Sequence, residues 1–304
     1  METAKFVWMD AHLVPWDDAN IHVMSHGLHY GAGVFEGLRC YETARGPAIF
    51  RLGDHIRRLE RSAKVYTVGL PFPVEQLAEA CREVVRANGL NECYIRPIVY
   101  VGFGDPNPFL APIHAAVGCW PWDDYLGPEA YENGVTVKIS SFRKVGPNVI
   151  PPAAKATGQY LNSILAKVEA LTCGYDECIL LDDAGYVAEG SSENVFIVRD
   201  RILVTPPASA GALPGVTRDT VMALATRLGY EVREEVFVRS DLYLADEAFF
   251  TGTASEIVSI CGVDGRPVGT GEPGPVVGAL RSAYCDLVHG RIDELAHWLD
   301  PIDA

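Results

Sequence analysis

The chain has 304 residues, of which 48% are hydrophobic and 21% are charged, and its formal net charge is −15. This length predicts about two domains around a large buried core, and the composition is typical of an ordinary folded enzyme. The negative charge argues against binding to nucleic acid or to an anionic membrane surface, and no apolar run approaches the ~18–20 residues of a spanning helix.

Strands and two amphipathic helices are predicted in the first half. Apolar residues recur at helical spacing in residues 52–64 and 74–88, and Gly89 suits the C-terminal end of the second helix. Residues 104–112 are rich in Pro and Gly and predict a loop, and the acids, proline and glycines of residues 123–134 predict an interdomain linker. The predicted strands are residues 6–9, 33–40, 48–50, 94–102 and 115–120.

The second half alternates strands with helices. The predicted strands are residues 135–140, 177–181, 195–198, 231–238 and 248–250, with a hairpin turn at 182–185. The predicted helices are residues 158–173, 217–229 and 275–289, and a long loop covers 142–152. We therefore expect a domain of residues 1–122, a linker of residues 123–134 and a domain of residues 135–304. No internal repeat is visible, and no glycine-rich dinucleotide motif follows the first strand, which excludes a simple dinucleotide-binding fold.

One lysine is distinguished by its neighbours. The chain holds six lysines, at 5, 64, 138, 144, 155 and 167, and only Lys155 has small uncharged residues on both sides, in the sequence AAKAT. Such surroundings indicate a desolvated amine with a lowered pKa, and a neutral amine can attack an aldehyde to form a Schiff base. A lysine extending from a partly apolar helix start gives the same pattern. The window alone leaves the two interpretations about even.

A candidate carboxylate follows 34 residues after this lysine. Glu189 comes after small or apolar residues and before a glycine and two serines, between two predicted strands. A buried carboxylate needs a cationic or hydrogen-bonding partner, and a pyridinium nitrogen would supply one. Glu189 could instead cap a turn, and Glu193 is the weaker candidate because it lies where the next strand starts.

Two segments are suited to hold a phosphate. Residues 211–219 lead into an apolar run at helical spacing, so free backbone N–H groups and the Thr217 hydroxyl would form an anion site. Residues 251–255, TGTAS, follow a predicted strand and form a compact turn of N–H donors. Each alone is weak, because helix caps rich in Thr and Gly are usually structural. Together with a reactive lysine and a buried glutamate, they form a constellation typical of pyridoxal phosphate sites.

These residues lead to a known family. From His22 to Asp300 the chain resembles the branched-chain amino acid aminotransferases, pyridoxal phosphate enzymes of fold type IV, and the bacterial ones most of all. The most specific stretches are residues 34–39 (VFEGLR), 94–97 (YIRP), 153–155 (AAK), 189–194 (EGSSEN) and 213–218 (LPGVTR). The resemblance implies an α+β or mixed α/β fold. It consists of a small N-terminal α/β domain and a larger C-terminal domain with a mixed, largely antiparallel, barrel-like sheet.

The resemblance also implies the residues that bind the cofactor. Lys155 would form the Schiff base with pyridoxal 5'-phosphate and transfer the proton as general base and acid, which contributes about 10²–10⁴ in rate. Glu189 would keep the ring nitrogen protonated, and Tyr160 would hydrogen-bond the ring hydroxyl. The phosphate would be bound by Arg58, Val216, Thr217 and Thr253. From its own charged sequence context, Arg58 is instead expected to be a solvated salt-bridge residue.

The substrate pocket of this family must accept apolar side chains and also the carboxylate of glutamate. Burying that carboxylate requires a nearby donor. Tyr94 and Arg96, which share one face of a strand, resemble the residues that supply it, as does Arg39. Tyr30, Phe35, Trp122 and Tyr160 would line the apolar part, with Gly37 in the same motif, and the N–H groups of Thr253 and Ala254 would bind the α-carboxylate. For Phe35 and Trp122, an ordinary position in the core is the alternative.

The leading hypothesis is transamination of L-leucine, L-isoleucine and L-valine with 2-oxoglutarate. The alternative is a fold relative acting on D-amino acids, (R)-amines or aminodeoxychorismate, which the YxR motif at 94–96 and the FxGxR motif at 35–39 disfavour. A non-catalytic cofactor-binding or regulatory protein is disfavoured by Lys155, Glu189 and Tyr160. The sequence departs from the bacterial pattern at Lys144, Pro152, Thr157 and the short segment 102–112, which bears on the pocket's preference rather than on the chemistry.

The remaining expectations concern location, metals and assembly. Eight scattered cysteines without a C-x-x-C pair predict reduced thiols in the cytoplasm, and residues 1–10 lack the features of a signal peptide. His22, His26 and His29 have no further ligands at metal spacing, so no metal is expected. The expected partners are small amino acids and 2-oxo acids. The resemblance implies a homodimer at minimum, or a trimer of dimers, in which Tyr30 reaches the neighbour's pocket.

Overall fold

The computed structural model describes residues 3–107, 110–122 and 126–303. The first of its two compact units contains Met1–Asp123, Ala154–Gln159 and Asp286–Ala304, and the second contains Asp124–Ala153 and Tyr160–Cys285. Unlike the predicted domains, these units are not contiguous in sequence. Residues 154–159 and 286–304 belong to the first unit because both segments pair with its strands. The domain boundaries themselves stay a prediction.

The described residues form α-helices and strands in the following order. The helices are α1 (His26–Tyr30), α2 (Leu52–Val65), α3 (Val74–Asn88), α4 (Pro128–Asn133), α5 (Tyr160–Thr172), α6 (Val216–Arg227), α7 (Arg239–Tyr243) and α8 (Pro275–Val288). The strands of the first unit are β1 (Phe6–Met9), β2 (His12–Pro15), β3 (Gly33–Phe35), β4 (Leu38–Tyr41), β5 (Ala48–Phe50), β6 (Cys93–Val101), β7 (Ile113–Trp120) and, at the C-terminus, β17 (Leu299–Pro301). Those of the second unit are β8 (Val135–Ile139), β9 (Glu177–Leu181), β10 (Val187–Gly190), β11 (Asn194–Arg199), β12 (Ile202–Thr205), β13 (Glu231–Glu234), β14 (Glu247–Gly252), β15 (Glu256–Val263) and β16 (Arg266–Pro267).

An antiparallel sheet forms the frame of the first unit. Its strand order is β17-β5-β4-β6-β7-β1-β2, and β3 pairs with β6. Side chains alternate across the central strand β6. Ile95 and Val99 are fully buried in a core that includes residues of α2 and α3. Tyr94 and Arg96, at the alternate positions, share the other face of the strand.

The second unit contains a mixed, largely antiparallel sheet. Its strand order is β10-β9-β8-β15-β14-β11-β12-β13, and β16 pairs with β15. The two ends of this order are joined: Tyr186 bridges to Val238, and the Val187 N–H donates to the Phe237 carbonyl at 2.9 Å. The sheet therefore closes on itself, and the predicted mixed, barrel-like sheet is confirmed.

Three local expectations differ from the structure. Residues 128–133 of the predicted linker form α4, and Ala130 is buried in the core of the second unit. Residues 123–125 of that linker lie outside the described residues. The predicted strand 33–40 is divided at Glu36, whose side chain turns inward to Arg58. The predicted strand 231–238 ends at Glu234, because the following residues pair with the segment that begins β10.

Candidate active site

Lys155 lies in a short segment that its unit holds from two sides. Ala156 bridges to Val34 on β3, and the Lys155 carbonyl accepts a hydrogen bond from the Phe35 N–H at 3.0 Å. The Lys155 N–H donates to Ser62 Oγ on α2 at 2.9 Å. These bonds fix the backbone from which the lysine side chain extends.

The amine of Lys155 has a lowered pKa, so it loses its proton closer to neutral pH than an ordinary lysine does. Its Nζ lies 5.0 Å from the centre of the Phe35 ring. Burial is the largest cause and Arg58 the second, and they lower the pKa of Lys155 from 10.5 to about 8, although Glu36 opposes the shift. At pH 7 about a tenth of such amines are neutral. This is the desolvated amine that the small neighbours of Lys155 predict.

A buried ionic cluster lies close enough to act on this amine. Arg58 donates through Nε to Oε1 of Glu36 at 2.6 Å and through Nη2 to Oε2 at 2.8 Å, and His55 Nδ1 lies 2.8 Å from Oε2. Burial opposes the charge of Glu36, but Arg58 and His55 outweigh it and hold the pKa of this carboxyl well below its usual range. Arg58 is therefore a buried ion-pair residue rather than a solvated one, and its role toward a phosphate stays a prediction.

Sequence reasoning did not single out Glu36 and His55. The available signal for Glu36 was its place inside the VFEGLR stretch. His55 gave no signal, because a histidine in a charged helix is usually solvated.

Phe35, Gly37, Tyr94 and Arg96 form one group in the first unit. Arg96 Nη2 donates to the Tyr94 hydroxyl at 3.0 Å. The Arg96 guanidinium lies 4.9 Å from the centre of the Phe35 ring and 5.0 Å from that of Tyr94. A Cβ on Gly37 would stand 1.9 Å from the Tyr94 hydroxyl oxygen, so only glycine permits this approach. A cation between aromatic faces, beside a phenol, can bind a carboxylate and still border apolar groups.

The other predicted substrate residues of the first unit are Trp122, Arg39 and Tyr30, and they differ in how they relate to the Tyr94–Arg96 group. Trp122 stacks on Tyr94 with ring centres 4.5 Å apart. Arg39 is the cross-strand partner of Tyr94, and its guanidinium lies 4.8 Å from the centre of the Tyr41 ring. Tyr30 ends α1 and is 75% exposed, so it is not packed into the group within its own unit.

Glu189 lies on β10 of the second unit as a buried, well-bonded carboxylate. Lys144 Nζ forms an ion pair with its Oε1. Its Oε2 accepts hydrogen bonds from the Leu213 N–H at 2.8 Å and from Asn194 Nδ2 at 3.4 Å. Glu189 therefore belongs to a strand and does not cap a turn. Its bonds fix the orientation of a carboxylate that could pair with a pyridine nitrogen.

Lys144 and Asn194 belong to this network and were not predicted as site residues. Lys144 is 3% exposed, and the signal for it was its departure from the bacterial family pattern. Asn194 Nδ2 also donates to the Leu213 carbonyl at 2.9 Å, and its Oδ1 would lie 2.0 Å from a Cβ on Gly215. Asn194 thus joins β11 to the segment that precedes α6.

The N-terminus of α6 carries two predicted phosphate ligands. Gly215 precedes the helix, and Val216 and Thr217 begin it with buried side chains. The N–H groups of a first helical turn have no partner within the helix and can bind an anion. Tyr160, the predicted ligand of the ring hydroxyl, begins α5 and is half-buried. These ligand roles stay predictions.

The turn between β14 and β15 contains Thr253 and Ala254, both half-buried. Beside them, the hydroxyls of Thr251 and Ser255 are buried and have no hydrogen-bond partner among the described residues. A buried hydroxyl is costly unless it is hydrogen-bonded, so this turn fits a bound phosphate or carboxylate. The residues of both anion segments thus suit the phosphorylated cofactor that the sequence predicts.

Comparison with known proteins identifies the family. The model of the amino-transferase class IV family matches residues 33–263. The chain belongs to this family. The branched-chain-amino-acid aminotransferase of Salmonella typhimurium is 46% identical over 304 residues, which cover 99% of this chain and 98% of that protein.

Two solved structures agree with this assignment. The crystal structure of the Escherichia coli branched-chain amino acid aminotransferase has a TM-score of 0.96 at 46% identity, covering 98% of this chain and 99% of that one. The T.th. branched-chain amino acid aminotransferase complexed with N-(5'-phosphopyridoxyl)-L-glutamate has a TM-score of 0.95 at 45% identity, covering 99% and 100%. The predicted resemblance, fold class and enzyme class are confirmed. Among the described residues, no helix has the length and apolar character needed to cross a membrane.

Proposed function

We propose that this aminotransferase transfers the amino group of L-leucine, L-isoleucine or L-valine to 2-oxoglutarate, giving the branched 2-oxo acid and L-glutamate, with pyridoxal 5'-phosphate as cofactor. The observation that carries the proposal is the lowered pKa of Lys155 beside Phe35, in a unit where Tyr94 and Arg96 form a carboxylate-binding group. Relatives named for this activity match nearly the whole chain, and one of them is complexed with a phosphopyridoxyl-glutamate.

The roles of the chain's own residues follow from their geometry. Bound pyridoxal phosphate supplies an electron-withdrawing ring. Lys155 Nζ takes the proton from the substrate Cα and later returns a proton, which a pKa of about 8 allows in both directions near neutral pH. Glu189, oriented by Lys144 and the Leu213 N–H, would hold the protonated ring nitrogen.

Two groups share the recognition of anions. In the second unit Val216, Thr217 and Thr253 would hold the phosphate, and in the first unit Arg58, whose orientation Glu36 fixes, would supply positive charge for it. The substrate α-carboxylate is bound by the N–H groups of Thr253 and Ala254. Hydrogen bonds from the N–H groups of a tight turn need no side-chain charge, so they suit substrates that share only the amino-acid backbone.

One pocket must serve both donors of the reaction. Phe35 and Trp122 give an apolar surface for a branched side chain, and Arg96 with the Tyr94 hydroxyl can bind the side-chain carboxylate of glutamate. The Arg96 guanidinium lies over the rings of Phe35 and Tyr94. These cation–π contacts stabilise its positive charge even when the bound substrate has an apolar side chain.

The test is the substitution Lys155→Ala with Lys64→Ala, an exposed lysine of α2, as control. Lys155→Ala should abolish transamination and the long-wavelength absorbance of the bound cofactor, and Lys64→Ala should keep both. After borohydride reduction, peptide mapping should find the cofactor on Lys155 alone. Full activity in Lys155→Ala would refute the proposal, and a panel of L-leucine, L-isoleucine, L-valine and D-alanine separates it from a relative acting on D-amino acids.

We further propose that the chain forms a homodimer, alone or within a trimer of dimers. Exposed apolar side chains support this assembly, because such surfaces mark contacts between chains. In the first unit they are Ile21, Val23, Met24, Leu28 and Tyr30, which are 46–75% exposed. On α5 of the second unit they are Leu161, Ile164, Leu165, Val168 and Leu171, which are 43–63% exposed. Sedimentation of the purified protein decides between two and six chains.

The family pattern places Tyr30 in the neighbour's pocket, which a mixing experiment tests. Inactive Lys155→Ala mixed with an impaired Tyr30→Ala should regain activity, because a heterodimer has one site with both changes and one with neither. Because only one of the two sites in a heterodimer is native, the recovered activity is at most about a quarter to a half of the native activity, depending on how freely the subunits exchange. No gain, despite subunit exchange confirmed by a tagged pull-down, would show that Tyr30 does not act across the interface.

We also propose a cytoplasmic location for the enzyme. The eight cysteines are free thiols, and those at 40, 81, 93, 119 and 178 are buried. Free thiols persist in a reducing compartment. Thiol labelling of denatured protein taken directly from cells should find all eight reduced, and disulfides there would contradict this location.

A further inference from the structure

Glu193 is a buried carboxyl group that the proposed reaction does not use. It lies in the turn between β10 and β11 and is 3% exposed. Its Oε1 lies 2.8 Å from Ser192 Oγ, and its Oε2 accepts the Ser192 N–H at 3.0 Å. Within the described part of the chain, no cationic side chain forms a salt bridge with it. A buried carboxylate without a cation is costly.

The groups that face Glu193 make its ionisation harder. They are Glu177 and Cys178 on β9 and Lys167 on α5. Lys167 Nζ forms a salt bridge with Glu177 Oε2 at 2.6 Å, so its positive charge is paired with Glu177 rather than with Glu193. Burial raises the pKa of the Cys178 thiol, which is therefore uncharged. Burial first and Glu177 second raise the pKa of Glu193 to about 8. Most of these carboxyl groups are therefore protonated at neutral pH.

The same residue lies close to the end of β10 and to the turn between β14 and β15. The Gly190 N–H donates to the Glu193 carbonyl at 2.7 Å, and a Cβ on Gly190 would lie 3.0 Å from Glu193 Oε2. This turn joins Glu189 to Asn194. On its other side, a Cβ on Gly252 would lie 3.4 Å from Glu193 Cγ. Gly252 begins the turn that carries Thr253, where we place the phosphate and the α-carboxylate.

We infer that Glu193 is a positioning residue that must carry its proton for the turn at residues 251–255 to hold a phosphate or carboxylate. The inference rests on the proposed function, which places an anion at that turn. An ionised Glu193, whose Cγ lies close to Gly252, would repel this anion across a dry, weakly screening interior. It would also repel Glu177 and disturb the turn that follows β10, the strand that carries Glu189. The neutral acid keeps the bonds to Ser192 and brings no charge.

The test uses Glu193→Gln, which has the shape of the protonated side chain and does not ionise. The probe is pyridoxamine 5'-phosphate, because it does not bond covalently to Lys155. Its affinity for the cofactor-free protein is measured by calorimetry from pH 6.5 to 9.5. If binding requires the proton, wild-type affinity falls about tenfold per pH unit above the pKa of about 8, in excess of any fall in Glu193→Gln. The two proteins should agree below pH 7 and differ about tenfold at pH 9.

Two further variants complete the experiment. Glu129→Gln removes an exposed glutamate of α4 and should follow the wild type, since it changes only the net charge. Glu177→Gln removes the charge that opposes ionisation of Glu193, so the fall in affinity should begin at lower pH. This variant keeps the inference testable if Glu193→Gln does not fold.

The outcomes are distinguishable. Tight binding with parallel pH profiles in wild type and Glu193→Gln, or an unmoved profile in Glu177→Gln, would overturn the role of Glu193 alone. No binding of the probe by any of the folded proteins at any pH would overturn the proposed function and this inference with it.

Discussion

Gly37→Ala should damage the substrate pocket through one added atom. The Cβ would stand 1.9 Å from the Tyr94 hydroxyl oxygen and 2.7 Å from Cζ. The phenol must therefore move by more than about 1 Å to reach an ordinary contact. That movement breaks the 3.0 Å hydrogen bond from Arg96 Nη2. A hydrogen bond to a charged group contributes about 1.5–3 kcal/mol, which corresponds to roughly a 10- to 150-fold loss in kcat/KM.

The assay compares Gly37→Ala with Gly118→Ala as a matched control. Gly118 is the cross-strand partner of Arg96 on β7, and a Cβ there meets nothing within 4 Å. Steady-state kinetics with each amino donor, at equal cofactor content, should show the loss in Gly37→Ala only, with glutamate affected more than leucine. Thermal unfolding checks that both variants are folded. Native kcat/KM in a folded Gly37→Ala would refute the idea that Tyr94 and Arg96 act as one unit.

Three other predictions follow from charges in the two units. Cofactor-free protein should combine with pyridoxal phosphate faster as pH rises through about 8, because only neutral Lys155 attacks; stopped-flow absorbance gives the midpoint, and a value near 10.5 would contradict the lowered pKa. Arg96→Ala should slow the glutamate half-reaction more than the leucine one, by a factor equivalent to about 1.5–3 kcal/mol, since only glutamate brings a side-chain carboxylate; equal losses in single-turnover rates would make Arg96 structural. Lys144→Met should lower the Tm of the cofactor-free protein, because breaking a buried pair costs about 3–5 kcal/mol, and Lys144→Arg should restore most of it; an unchanged Tm in Lys144→Met would show that Glu189 does not depend on this pair.

The two long helices of the first unit, α2 and α3, could be predicted from sequence, but the short helix α1 and several strands could not. Apolar spacing located α2 and α3 to within a residue because each buries a continuous stripe, from Leu52 to Ala63 in α2. β10 has four residues and ends in a glycine, so its sequence favours a turn. α4 is also short, and its acids and proline imitate a linker. Such elements exist because of tertiary contacts that local propensity does not contain.

Some site residues could be predicted from sequence, and others depend on tertiary contacts. Lys155 could be singled out from sequence because its adjacent residues are small and uncharged. A desolvated amine is one of two interpretations of this pattern, and the resemblance to the family decided between them. The pairs Glu36–Arg58 and Lys144–Glu189 join residues 22 and 45 positions apart. Their contacts depend on how strands and helices pack, and each charged residue alone resembles a solvated one. The partners that orient a catalytic group were therefore less predictable than the group itself.

These pairings also explain how a chain with a net charge of −15 can bind anionic ligands. In the first unit, Arg58 and Arg96 both act on Lys155 and lower its pKa, and Glu36 is the carboxylate that opposes them. Burial is the larger cause of the lowered pKa of Lys155, and the two guanidinium groups add a positive potential that acts at short range in a poorly screened interior. Net charge describes the exposed surface, where most acids lie, and it governs solubility and non-specific contacts rather than the pocket. A variant with a changed surface charge should therefore keep its cofactor affinity, whereas Glu36→Gln, which removes the opposing charge, should lower the pKa of Lys155 further.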